Sequence, residues 1–378
     1  RLSQGELGSL PVIIGLCVIW LIFYIANDRF LSAVNLTNLM LQITAMGTIS
    51  AGIVLVLLLG DIDLSAGAVS GLSAAVMALN VKMGYGAVPS LLAGLATGAA
   101  IGAFHGLWMT RFRVPPFVVT LAGLLGWQGA QLFVLGNTGT VNLNDSFIIG
   151  LAGTFFEPAI AWLVVALIVV VHVATVFVER RRREAAGLPL VPLRSTVVRM
   201  VFTHGALVAA VAVFTQDRGL PLAALIFGGV VLLLELLIRH TRFGRHTFAV
   251  GGNAEAARRA GIRVDRIRVT IFTLASTMAA AGGILAASRL LAVNQSSGSG
   301  DVLLNAIAAA VIGGTSLFGG RGSAWSALLG ALVIGSISNG MDLLALSSSV
   351  KFMVTGAVLL VAASIDALSR RGRQAAGR

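Results

Sequence analysis

Long apolar runs divide the chain, and they limit its fold more than any other feature. "ALIFGGVVLLLELLI" (Ala224–Ile238) and "VTIFTLASTMAAAGGILAA" (Val269–Ala287) are two of them. Such runs approach or exceed the ~20 residues that an α-helix needs to cross a bilayer. They are continuous rather than alternating, which excludes a membrane β-barrel. Of 378 residues, 57% are hydrophobic and 11% charged, and no water-soluble fold of that size covers so much apolar surface. The expected class is an all-α polytopic membrane protein with about 10–12 transmembrane helices, some short or broken. Residues 1–378 read as a single transmembrane domain.

The runs place twelve crossings: Leu10–Ala26, Leu36–Leu59, Leu64–Val81, Ala87–Met109, Pro116–Leu135, Ala159–Val178, Met200–Thr215, Leu220–Ile238, Val269–Ala287, Val302–Gly313, Ala324–Asn339 and Val350–Ile365. The seventh and tenth are short, as a tilted, kinked or broken span would be. The first has no small-residue cleavage pattern before "NDRF" and reads as an uncleaved span. With the N-terminus in the cytoplasm, all but five of the 27 basic residues fall in cytoplasmic gaps; the five are Arg29, Lys82, Arg218, Arg289 and Lys351. Cytoplasmic loops carry such an excess of Arg and Lys, so both termini are expected inside. The same bias accounts for the net charge of +12 without a nucleic-acid partner. The Arg-rich segment 179–199 reads as an anchor at the membrane surface.

Close helix packing is written into "GLATGAAIGAFHG". Gly94, Gly98, Gly102 and Gly106 fall on one helix face, where a second backbone can approach to contact. Gly322, Ser326 and Gly330 form a second stripe of small residues. His105 beside the first stripe reads as a packing residue, since no second His lies at helical spacing. Cys17 is the one cysteine, so neither a disulfide within the chain nor a cysteine metal site is available.

The chain has two lysines, Lys82 and Lys351, and no G-x-x-x-x-G-K-[ST]. "IGGTSLFGGRGS" therefore reads as a tight turn with packing glycines rather than a phosphate cradle. No series of ionisable residues runs through the spans as a proton or ion relay would require. Glu235 stands four residues before Arg239, where the two can pair. Energy for any transport is then expected from a partner.

"HTFAVGGNAEAARRAGIRVDRIR" (His246–Arg268) lies between two apolar runs and is polar and basic. Asn253, after Gly252, suits a helix N-cap; Glu255 occupies the first turn, and Arg258 and Arg259 the last. Glu255 and Arg259 are spaced to pair, and Gly261 is placed to end the helix. Ala254, Ala256, Ala257 and Ala260 keep it slim. A capped helix of roughly two turns on the membrane surface is predicted, either as a docking element for a partner or as a solvated interfacial helix.

"AVGGNAEAARRAGI" resembles the coupling-helix segment of permeases from the ribose/xylose class of ABC sugar importers. "GDIDLSAGAVSGLSAAV" resembles the family's segment after the second span, and "AIAAAVIGGTSLFGGRGSAWSALLGAL" with "ISNGMDLL" resembles its C-terminal part. The similarity covers about Phe30 to Arg370. "ERRRREAAGLPL", "STVVRM" and "DRGLP" are similar to the added Arg-rich loop and hairpin of xylose-type members, and "RVPPFVVTLAGLLGWQG" and "ISNGMDLL" also resemble xylose-type sequences. Asp61 departs from the pattern, standing directly before "IDLS" where a non-acidic residue is expected.

The resemblance implies a permease without enzymatic activity that binds no cofactor of its own, in the inner membrane of a prokaryote. A second copy forms a homodimer with it, an ABC ATPase holding ATP and Mg²⁺ docks below, and an extracytoplasmic binding protein delivers a pentose, D-xylose. Gly252, Asn253, Glu255, Ala256, Arg258, Arg259 and Gly261 would then grip the ATPase. Asp61 and Asp63 have two open roles. Asp63 or Ser65 caps the helix beginning near Leu64 while Asp61 satisfies other backbone groups at the break, or both line a path or gate. Asn305, Asn339 and Asp342 are further pathway candidates. The alternatives are an ABC permease for another monosaccharide such as ribose, or a facilitative or ion-coupled carrier or channel that works alone.

Overall fold

The computed structural model describes residues 10–136, 139–190 and 192–375, with 362–363 and 365–375 as backbone alone. Arg1 and Arg378, and with them both termini, lie outside the described residues. In chain order the helices are α1 (Leu10–Ala26), α2 (Ala33–Leu58), α3 (Ala66–Lys82), α4 (Ala87–Phe112), α5 (Pro116–Leu135), α6 (Ser146–Gly153), α7 (Pro158–Ala185), α8 (Leu193–Phe214), α9 (Leu222–His240), α10 (Arg242–Gly252), α11 (Ala254–Arg259), α12 (Val264–Leu290), α13 (Asp301–Ile312), α14 (Trp325–Leu343) and α15 (Ser348–Ala375). Among the described residues, eight helices are long and apolar enough to cross a membrane: α2, α4, α5, α7, α8, α9, α12 and α14. Four shorter apolar stretches, in α1, α3, α13 and α15, occupy the remaining expected positions.

Two short antiparallel ribbons were not foreseen. β1 (Thr140–Asn142) pairs with β4 (Ala292–Asn294), and β2 (Phe155–Phe156) with β3 (Leu220–Pro221). They supply partners for backbone groups just beyond the helix ends. The seventh span also departs from expectation. Its helix α8 starts at Leu193, well before the apolar run, and has 22 residues. Arg194 and Arg199 continue the helix because straight-chain basic residues are good helix formers. The tenth span stays short: the 12 residues of α13 rise only about 18 Å, against ~30 Å of hydrocarbon. The turn before it packs against Gly67 and Gly71 of α3 and is held by Gln131 of α5, whose Nε2 donates to the carbonyls of Asn294 and Ser297 at 2.9 and 3.0 Å. Non-helical backbone at membrane depth needs such protein partners.

α2 is the axis of the bundle, buried along most of its length. α4 and α12 run against each other along the glycine stripe. A Cβ at Gly98 would lie 2.6 Å from Ala280 Cβ and from Ser276 O, and one at Gly106 would lie 2.6 Å from Val269 Cα. A Cβ at Gly102 would overlap Phe272 O, and one at Gly94 would come within 2.9 Å of Ser73 O on α3. In the second stripe, Gly330 lies against Ala309 of α13. α7 and α8 form a peripheral hairpin joined by a 2.9 Å hydrogen bond between His172 Nδ1 and His204 Nε2. Their outer faces carry exposed residues such as Leu163, Leu167, Phe177 and Phe202, which suit hydrocarbon.

Candidate functional site

α10 and α11 meet at a bend on Asn253, whose extended backbone (φ −162°, ψ 102°) stops one helix and opens the next. Asn253 Oδ1 accepts the Ala256 N–H at 2.9 Å. α11 has six residues, nearer one and a half turns than two. Glu255 pairs with Arg259 at 3.2 Å and with Arg258 at 3.5 Å. At the other end the Gly261 N–H reaches Arg258 O and the Ile262 N–H reaches Ala257 O, both at 3.0 Å. With Gly261 at φ +84°, this is a complete Schellman closure. Ala257 is buried, whereas Gly252, Asn253, Glu255, Ala256, Arg258, Arg259 and Gly261 are all exposed. The segment is a shallow hook, seated by one alanine and presenting its polar face outward.

Beneath the hook, three stretches of backbone converge. The Gly320 N–H donates to Leu58 O, the end of α2, at 2.9 Å. A side chain at Gly251 would overlap that same carbonyl. Gly319, at φ +80°, brings its Cα so close that a Cβ would lie 2.7 Å from Gly251 O and 2.8 Å from Gly60 N. "IGGTSLFGGRGS" is thus a tight turn clamped between the C-terminal ends of α2 and α10. Glu235 and Arg239 pair at 3.2 Å and secure the turn's far end. The second Glu235 oxygen accepts from Ser323 Oγ and the Ala324 N–H, each at 2.8 Å, and Arg239 donates to Gly322 O at 2.8 Å.

The break between α2 and α3 holds the two carboxylates. Asp63 Oδ1 accepts the Ser65 N–H at 2.8 Å and the Ser65 hydroxyl at 2.6 Å, and helix α3 begins at Ala66. Asp61 departs from the capping role: among the described residues it binds the Arg268 guanidinium, at 2.8 Å from Nε to Oδ2 and 3.4 Å from Nη2 to Oδ1. A guanidinium fork satisfies a carboxylate better than scattered amides do. Burial pushes the Asp61 carboxyl above the ordinary carboxylate range, and Arg268 opposes that shift by its charge and its hydrogen bonding. Asp63 is 2% exposed, and its Oδ2 has no hydrogen-bond partner among the described residues.

His105 is fully buried and accepts from Trp127 Nε1 at 2.9 Å through Nε2. In the neutral ring Nδ1 then carries the proton, 3.5 Å from Ser65 Oγ. It is more than a space-filler: it links α4, α5 and the break. Of the remaining pathway candidates, Asn339 accepts from Asn35 Nδ2 at 2.8 Å and is 3% exposed, tying α14 to α2. Asp342 pairs with Lys351 of α15. Asn305 is half-buried on α13. Asp61 and Asp63 thus share the α2–α3 break, whereas Asn305 lies on α13 and Asn339 and Asp342 on α14. Arg268, Thr120 and Trp127 were missed; for Arg268 the available signal was the unexpected acid at Asp61, which requires a cation.

Residues 35–363 match the family model described as branched-chain amino acid transport system / permease component. The xylose transport system permease protein of Escherichia coli is 33% identical over 372 residues, covering 98% of this chain and 94% of that protein. The corresponding Haemophilus influenzae protein is 32% identical, covering 98% and 99%. The ribose import permease protein of Bacillus subtilis is 31% identical, covering 96% and 94%. No solved structure matches the chain. A full-length match of this kind carries a fold and a role together, and the chain belongs to the family of membrane permease components that includes these xylose and ribose permeases.

Proposed function

We propose that the chain is the membrane-spanning subunit of an ATP-driven importer, passing a pentose, D-xylose, from an extracytoplasmic binding protein to the cytoplasm. It works as a pair of copies in the inner membrane of a prokaryote, with both termini cytoplasmic. ATP and Mg²⁺ belong to the partner ATPase. The observation that carries this reading is the exposed hook of α11 standing on the junction of Gly251, Leu58 and Gly319. A partner that pushes the hook pushes three membrane elements at once, because tight packing transmits displacement. An isolated carrier has no use for such a device. Asn253–Gly261 is accordingly the surface gripped by the ATPase. Asp61 and Asp63 belong to the gate, while Asn305, Asn339 and Asp342 serve helix packing or the pathway wall.

The test is to assemble the chain with its ATPase in nanodiscs and to measure ATP hydrolysis with binding proteins loaded with different sugars. D-xylose is expected to stimulate above ribose, galactose and glucose. Equal or greater stimulation by ribose would replace the sugar and keep the importer. Sugar uptake by the chain alone in liposomes, without ATPase, would remove the importer reading.

A further inference from the structure

Three consecutive residues of the α2–α3 break are each tied to a different part of the bundle. Asp61 binds Arg268 of α12. The Ile62 carbonyl accepts from Thr120 Oγ1 of α5 at 3.3 Å. Asp63 holds Ser65, whose hydroxyl faces His105 of α4. The break is thus where the inner ends of α12, α5 and α4 meet the central helix. Only its first tie leads back to the hook, since Arg268 lies about one turn into α12, directly after the Gly261 turn that closes α11.

The basic residues around Arg268 do not share this position. Arg258 and Arg259 pair with Glu255 in the open, their side chains 60% and 80% exposed, where solvent screens the attraction. The Arg268 and Asp61 side chains are 24% and 11% exposed. A two-point bond in that setting has direction as well as strength. Either partner left alone would be a partly buried unpaired charge.

We propose that the Asp61–Arg268 pair is the latch that carries displacement of the coupling hook to the α2–α3 break, making Asp61 and Arg268 positioning residues for transport. This rests on the reading of the chain as an ATPase-driven permease. When the base of α12 moves, the latch draws Asp61 with it. The Ile62 and Asp63 ties then pass the movement to α5 and α4. Asp63 Oδ2, which has no partner in this arrangement, marks a polar point whose surroundings change as the break shifts.

The test uses the complete assembly of permease, ATPase and binding protein in liposomes, and reads ATP hydrolysed per sugar imported. Asp61→Asn and Arg268→Gln should each raise that ratio about fivefold or more, with the ATPase still co-purifying. Exchanging the charges, Asp61→Arg with Arg268→Asp, should bring the ratio back toward the parent's. A parental ratio in both single variants overturns the latch, and so does an exchange variant as uncoupled as the singles. If the singles do not assemble, Asp61→Glu and Arg268→Lys are read instead: a raised ratio that falls when the two are combined supports the latch, and a parental ratio overturns it. A parent chain that recruits no ATPase would overturn the importer reading itself and the latch with it.

Discussion

Glu235 of α9 accepts the backbone N–H of Ala324 at 2.8 Å, so a side chain from one helix closes the start of another. The same oxygen takes the Ser323 hydroxyl, and its twin takes Arg239. Glu235→Ala should lower stability by about 1–3 kcal/mol, because it strands an amide and a hydroxyl at a partly buried helix start. Glu235→Gln keeps an acceptor and should lose less. Thermal unfolding of the two variants in detergent, followed by loss of the monodisperse peak, checks the order.

Gly251 and its neighbour Gly252 make an internal control. A methyl group at Gly251 collides with the Leu58 carbonyl, whereas one at Gly252 meets nothing within 4 Å. Gly251→Ala should cost about 1–3 kcal/mol by overpacking and should impair sugar-stimulated ATP hydrolysis. Gly252→Ala, which meets no atom, should express and unfold like the parent. Equal behaviour of the two variants would show that the junction beneath the hook is slack.

The hook can be altered without unfolding the bundle. Glu255→Arg removes both pairs on α11 and sets like charges side by side, costing about 0.5–1.5 kcal/mol locally. Gly261→Pro fixes φ near −65° where the chain needs +84°. Membrane insertion should survive in both, while ATPase co-purification falls. Matched substitutions between Asn142 and Asp145 should leave co-purification intact.

Orientation is open to labelling. With Cys17→Ala as background, a cysteine at Asn142 should react with an impermeant reagent added to intact cells. A cysteine at Ser195 should react only after the cells are opened. Reaction at both positions in intact cells would refute the charge-based topology.

Helix positions were legible because span length and apolar continuity are properties of single segments. The ends of α11 were legible for the same reason: Asn253, Glu255 and Gly261 act within a few residues of one another. Of the two roles open for Asp61, the capping one fails because its partner, Arg268, is 207 residues away, and local rules offered only nearby backbone groups. His105 is the satisfied packing residue that the sequence suggests, but its partners Trp127 and Ser65 were not legible because they join it only once α4, α5 and the break are side by side. The ribbons escaped notice because strands of two or three residues carry no periodicity.

The glycine seam between α4 and α12 changes what a push on the hook can do. From Gly98 to Gly106 the two backbones touch over about 12 Å, which leaves no side-chain layer between them to deform. A single helix struck at one end can bend and absorb the blow; two helices welded along a seam behave as a beam. The seam stiffens α12 between Val269 and Ala280, on the way from Val264 to Leu290, where β4 follows and is stitched to β1. The ribbon is thereby fixed to the end of α12 farthest from the hook.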